Sequence, residues 1–320
     1  MRVALPQSLT PMPHPPNTPL GRFGVDTVTV DPARCVGSIP AGGGVNPLTG
    51  TPTLAVLAML VDHIGGVVNH IRRGPSEWTV TSELVLELTP DAVDRVAEAP
   101  DEPVFATGRP FGPRTGTALS RCDLTHRDQL VGTATVRSFY IDAPDEHVPY
   151  PAATEDTTRP TDLAEMMAVR VGTAEGGAQL LHQLPDPVLN NTLGIVHGGV
   201  SAAALELVGA AAVNAGRTDE LLQTASLRIN FLRPLRTGPD SHYRGAAWRS
   251  WRGSPPIAEV QRPLPSAHAG SRRRRTDRGI RQPAGVSAPV AAAGGGDRCH
   301  RRARRGGLLS RARLQHPVAA

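Results

Sequence analysis

Two apolar helical stretches each contain a single acid. Glu206 interrupts VSAAALELVGAAAV and Asp62 interrupts AVLAMLVDHIGGVV. A buried carboxylate is costly unless it is paired or put to use, so Glu206 is read as functional. For Asp62, a polar helix edge shared with His63 is an equal reading. Ahead of the Glu206 helix stand Asn191 and then His197-Gly198-Gly199. Glycines at a helix start usually serve a turn. Their company with Asn191, and with an acid eight residues after Gly198, favours chemistry instead. The first N–H groups of a helix are unpaired and lie at the positive end of its dipole. They suit the charge that a carbonyl oxygen gathers under attack. Gly198 lacks a side chain and lets a carbonyl come close. A carboxylate can then attack the carbonyl directly or activate a water. Asn191 is read equally as holding its loop and as positioning water. His197 is read as holding the loop.

Eight residues of straight helix span about 12 Å, too far for one carbonyl to touch both Gly198 and Glu206. Two antiparallel helices related by a two-fold remove the difficulty, and the sequence contains a second helix of the right kind. NPLTG at 46–50 recurs as NNTLG at 190–194. With the same step of 144 residues, Asp62 falls on Glu206, Gly65 on Gly209, Gly50 on Gly194 and Pro90 on Pro234, without a gap. A repeat of this kind exposes the architecture. It predicts one composite site of Asn191, His197 and Gly198 with Asp62. A second, weaker site pairs Glu206 with the helix start near Thr53 and Leu54.

Each copy reads as a Gly-containing loop, an apolar helix and an alternating strand. In the first copy Thr51 is expected to cap the helix, Pro52 to sit in its first turn and Gly74-Pro75 to stop it. In the second, Gly198-Gly199 opens the helix and Gly216 closes it. Leu84, Leu86 and Leu88 alternate in one strand, and Leu227, Ile229 and Phe231 in the other. Further strands are expected near 103–109, 116–125 and 130–141. The fold class is α+β, each copy a long helix wrapped by an antiparallel sheet. The units are expected at 20–142 and 162–247. A linker at 143–161, with Pro144, Pro149, Pro151 and Pro160, joins them.

The run from Asn191 through His197-Gly198-Gly199 to Glu206, followed by the INFLRP strand, resembles the signature of hotdog-fold acyl-CoA thioesterases. The likeness is to the phenylacetyl-CoA and 4-hydroxybenzoyl-CoA type, here as a tandem double hotdog. It implies hydrolysis of acyl-CoA thioesters with no metal or redox cofactor. Asn191, His197, Gly198 and Glu206 match the family's pattern, and Gly199, Thr224 and Ser226 are added as substrate-binding residues. The first copy departs from the pattern, since Thr53 and Leu54 stand where His197 and Gly198 would fall. A non-catalytic acyl-CoA-binding protein is the alternative reading.

All 34 basic residues are Arg, and the net charge is +5. The charge is uneven: residues 1–240 balance at −9 and residues 241–320 at +14. The basic pI of about 9.8 therefore describes the last quarter, and nucleic acid is an unfavoured partner. Arg228, Arg233 and Arg236 are read as surface residues rather than as contacts to CoA phosphates. The three cysteines show no ligand or disulfide spacing. His63, His70, His126 and His182 likewise lack ligand spacing. The proline-rich start does not suit a signal peptide, and no apolar run is long enough to span a membrane, so a cytoplasmic protein is expected. Further pairing through the sheets into a homo-oligomer stays open. Residues 248–320 read as an Arg/Gly/Pro-rich disordered tail in the place of three strands expected at roughly 250–285. A change of reading frame near residue 247 accounts for this better than a genuine arm. The second copy is then incomplete, although Ile257-Ala258-Glu259-Val260 resembles a fragment of strand.

Overall fold

A computed structural model describes residues 12–153, 158–218, 221–238 and 241–248, with the backbone of two further strands at 257–261 and 307–312. In chain order the first half comprises β1 (Met12–Pro13), α1 (Pro19–Phe23), β2 (Asp26–Val30), β3 (Cys35–Ile39), α2 (Leu57–His70), β4 (Glu77–Leu88), α3 (Ala92–Ala97), β5 (Val104–Pro110), β6 (Thr117–His126) and β7 (Gln129–Asp142). The second half comprises α4 (Leu163–Met166), β8 (Val169–Gly172), β9 (Gln179–Gln183), α5 (Gly198–Asn214), β10 (Gln223–Asn230), β11 (His242–Trp248), β12 (Ile257–Gln261) and β13 (Gly307–Ala312). The thirteen strands among the described residues join one sheet, in the order β1-β2-β3-β5-β6-β7-β4-β10-β13-β12-β11-β9-β8. This is a mixed α and β architecture with a largely antiparallel sheet, consistent with a hotdog-like fold.

The two long helices are buried nearly all round. In α5 only Gly198 and Ala210 escape full burial, as expected of a helix that is apolar on every face. α2 packs on β3 to β7, and α5 on β9 to β13. The two sets of strands meet along β4 and β10, which pair antiparallel with Leu86 opposite Leu227 and Glu83 opposite Asn230. The register maps onto itself under the step of 144, since Leu86 falls on Asn230 and Glu83 on Leu227. The strand order repeats as well: β3-β5-β6-β7-β4 on one side, β9-β11-β12-β13-β10 on the other.

α2 and α5 run antiparallel and cross closely. A Cβ placed on Gly199 would lie 2.6 Å from Met59 Sδ and 2.7 Å from Met59 Cα. Only glycine permits that approach, so Gly199 serves helix packing.

Several local expectations need correction. Thr51 does not cap α2. Its hydroxyl pairs with that of Thr49, and the helix opens through Leu54–Leu57 and Ala55–Ala58 backbone bonds onto Val56, which has no capping side chain. Gly74-Pro75 lies beyond the end of α2, which closes on Ile71. β10 stops at Asn230, although Phe231 still donates its N–H to the Ser82 carbonyl at 2.8 Å. β11 and β12 start earlier than the 144 step predicts, at His242 and Ile257, while β13 starts far later, at Gly307. β12 is the Ile257–Val260 patch extended by one residue. β13 pairs parallel with both β10 and β12, whereas β7 pairs antiparallel with β4 and β6. The remainder of the expected tail, 249–256, 262–306 and 313–320, lies outside the described residues.

The crossing is open to test. Gly199→Ala forces the α5 start away from α2 and is expected to destabilise the fold by about 1–3 kcal/mol, read as a lower Tm. An unchanged Tm would show that the helices do not touch there.

Candidate active site

The α5 start is built by its preceding loop. Asn191 Oδ1 accepts the N–H of Leu193 at 2.9 Å and that of Ile195 at 3.4 Å. Its own N–H donates to the Ile195 carbonyl at 2.8 Å. These are the bonds of an Asx turn. The Asn191 side chain is thus committed to shaping the loop, which delivers His197 as the helix N-cap. His197 Nδ1 accepts the Gly199 N–H at 3.1 Å. Gly198 is the first helical residue, whose N–H has no partner within a helix.

Asp62 reaches this point from α2. It is 7% exposed. A Cβ on Gly198 would lie 2.7 Å from Asp62 Oδ2, so the carboxylate rests against the bare α-carbon of Gly198. Asp62 Oδ1 accepts the Thr81 hydroxyl at 2.8 Å, and Asp62 Oδ2 lies 3.4 Å from His197 Nδ1. That last contact is not an ion pair. Nδ1 already accepts from Gly199, and burial lowers the His197 pKa more strongly than the Asp62 charge raises it. His197 is therefore neutral with its proton on Nε2, and it holds the loop rather than transferring protons through Nδ1.

The residues expected around the better site thus come together: Asn191, His197, Gly198 and Asp62 all line one cavity of about 640 Å3. Its walls are the Asp62 face of α2, the start of β4 from Trp78 to Thr81, and the segment from Ile229 to Arg236. Arg233 and Arg236 lie at its exposed mouth, while Arg228 pairs with Glu87 at 2.9 Å, away from the cavity. His63 and His70, given no role from the sequence, both line the cavity. Burial, with His14 and His197 nearby, lowers His63 to about 3.

The second composite site is also assembled, with different consequences. Glu206, 5% exposed, accepts the Thr224 hydroxyl at 2.5 Å and the Thr53 hydroxyl at 3.1 Å. Asn46 makes the same Asx turn as Asn191, with Oδ1 accepting the Leu48 N–H at 3.0 Å, and spends its amide on the Leu207 carbonyl. The cavity here is only about 190 Å3 and is lined by Leu54, Leu88 and Leu222. By the 144 step Thr53 and Leu54 stand where the other site has His197 and Gly198, and α2 opens later than expected, at Val56. Burial pushes the Glu206 pKa up despite its two hydroxyl donors.

Of the residues assigned to substrate, Thr224 is bonded to Glu206. Gly199 packs on Met59. Ser226 donates to Glu87 Oε1 at 2.9 Å and lines neither cavity. Thr81, the hydroxyl that holds Asp62, was missed. Its signal was present in Thr224, which the 144 step places opposite Val80, one residue away. Among the described residues, no group of three or more His, Cys, Asp or Glu is placed to hold a metal ion, and no helix is long and apolar enough to cross a membrane. The arginines behind the nucleic-acid reading fall mostly outside the described residues.

Comparison with known proteins points to this same segment. Residues 193–250 match the family model of the Thioesterase superfamily, a stretch that holds Gly198, Glu206 and the strand after α5. No curated protein matches the chain. Among solved structures, the chain is similar to thioesterase HI1161 from Haemophilus influenzae, at 12% identity over 38% of this chain and 82% of that one, with a TM-score of 0.31. It is also similar to a mutant of the phenylacetic acid degradation protein PaaI from Thermus thermophilus, at 18% identity over 38% and 96%, TM-score 0.29. A third likeness is to smu.793 from Streptococcus mutans UA159 bound to acetyl CoA, at 16% identity over 37% and 90%, TM-score 0.29. Each covers little more than a third of the chain.

The raised pKa of Glu206 fixes the sign of a pH effect. The folded chain binds this proton more readily than the unfolded one, so the contribution to stability is full at pH below about 4.5, the unfolded value. It is lost as pH rises through the folded value. Glu206→Gln is therefore expected to raise Tm at pH 8, with the gain shrinking as the pH is brought down to about 4.5. A loss of Tm at both pH values would contradict the assignment.

Proposed function

We propose that the chain hydrolyses acyl-CoA thioesters to a free acid and CoA, without metal or redox cofactor, at the site between Gly198 and Asp62. The reading takes the fold as a tandem double hotdog, with units at 20–142 and 162–247 and a linker at 143–161. The observation that supports it best is the placing of the Asp62 carboxylate against Gly198, at the start of the partner helix. The thioester oxygen binds the Gly198 N–H at the positive end of the α5 dipole. Asp62, steered by the Thr81 hydroxyl, faces the carbonyl carbon. Direct attack forms a mixed anhydride, expels the CoA thiolate and leaves water to open the anhydride. Base catalysis takes a proton from water, whose hydroxide then displaces the thiolate. Both routes use the same carboxylate. Asn191 and His197 act by fixing the loop. Exposed Arg233 and Arg236 suit the phosphates of the carrier. The family match over residues 193–250 supports the reading independently of the geometry.

Free-thiol release from a panel of aliphatic and aromatic acyl-CoAs tests it. Asp62→Ala is expected to lower kcat by roughly 10²- to 10⁴-fold, while Glu206→Ala keeps most of the activity. Full activity in Asp62→Ala with none in Glu206→Ala would reverse the assignment of the sites. Saturable acyl-CoA binding with no release by the wild-type chain would make it a binding protein.

A further inference from the structure

Two adjacent glycines in the middle of α2 have different surroundings. A Cβ on Gly65 would lie 2.6 Å from Val136 Cγ2, so the sheet requires that glycine. A Cβ on Gly66 would meet no described atom within 4 Å. Glycine weakens a helix interior relative to alanine, and packing gives no reason for it at Gly66. The 144 step places Ala210 opposite. Gly66 does line the 640 Å3 cavity, in a row of α2 residues with Asp62, His63, Val67 and His70.

Two routes lead away from the carbonyl seat between Asp62 and Gly198. One reaches the exposed Arg233 and Arg236, where a phosphorylated carrier fits. The other follows the α2 face, with Gly66 one turn, about 6 Å, beyond Asp62 and His70 two turns, about 12 Å, beyond it. Its far end is walled by His70, whose Nδ1 is 2.8 Å from the Thr79 hydroxyl oxygen, and by Trp78, with ring centroids 4.6 Å apart. Burial and the Arg73 charge lower His70 to about 4, so the wall is uncharged at neutral pH.

Resting on the thioester reading, we infer that Gly66 sets the length of acyl group the site accepts, its missing side chain leaving the path of an extended aliphatic chain toward His70 and Trp78. An acetyl group ends before Gly66, and an octanoyl group passes over it. A branched side chain at this position closes the path without touching Asp62 or Gly198.

The test is titration calorimetry with acetyl-CoA and octanoyl-CoA on Asp62→Asn, in which the thioester persists, with and without Gly66→Leu. The parent is expected to bind octanoyl-CoA at least about tenfold tighter than acetyl-CoA. Gly66→Leu is expected to abolish that preference and leave acetyl-CoA binding within about twofold. Gly66→Ala guards against misfolding: it should reduce the preference in part while raising Tm. Equal weakening of both ligands, no change in either, or no binding of octanoyl-CoA by the parent would overturn the inference. Thiol release by the wild-type chain separates it from the hydrolase reading. Selective binding without release would remove the hydrolase and keep the gate.

Discussion

The close crossing of α2 and α5 is the contact on which the rest of the structure depends. Gly199 lies against the Met59 backbone, and no larger residue fits there. Because the helices run antiparallel, the start of each faces the middle of the other. One helix cannot bring its own first N–H and its own acid to a single carbonyl, since eight residues span about 12 Å. The crossing supplies the acid from the other half of the chain. The β4–β10 ladder fixes the same relation a layer below, in a register that maps onto itself under the step of 144.

A symmetric scaffold carries two unequal ends. At one, a bare glycine, a neutral histidine cap and an aspartate steered by one hydroxyl open on a large cavity. At the other, Thr53 and Leu54 stand ahead of a helix that opens only at Val56. The glutamate there is clasped by two hydroxyls, and burial raises its pKa. The proposed chemistry is assigned to the first end, where the cavity is the larger of the two. In the proposed tandem arrangement each half keeps its own residues at each end, which allows this divergence.

Much of this was legible in the sequence wherever the information is local or periodic. The acids in apolar helices, the glycine loops, the alternating strands near 103–141 and the step of 144 are all of that kind. What failed was set by contacts that no local pattern records. Thr51 looked like a cap, yet Thr53 is held by Glu206 from the other half, and the helix starts later. Gly199 looked like part of a substrate loop and proved to be the point where two backbones touch. Ser226 faces Glu87 because strand register turns it away from the cavity. Thr81 was hidden because it stands one residue out of step with Thr224, its counterpart beside Glu206. His63 and His70 had no ligand spacing, and only the cavity shows that they line the site.

The central claim is that one thioester carbonyl sits between the Gly198 N–H and the residue at position 62. A crystal structure of Asp62→Asn with octanoyl-CoA bound tests it most directly. The account predicts the thioester oxygen within hydrogen-bond distance of the Gly198 N–H, with the carbonyl carbon facing the substituted side chain. A thioester seated instead beside Thr53 and Glu206 would contradict it.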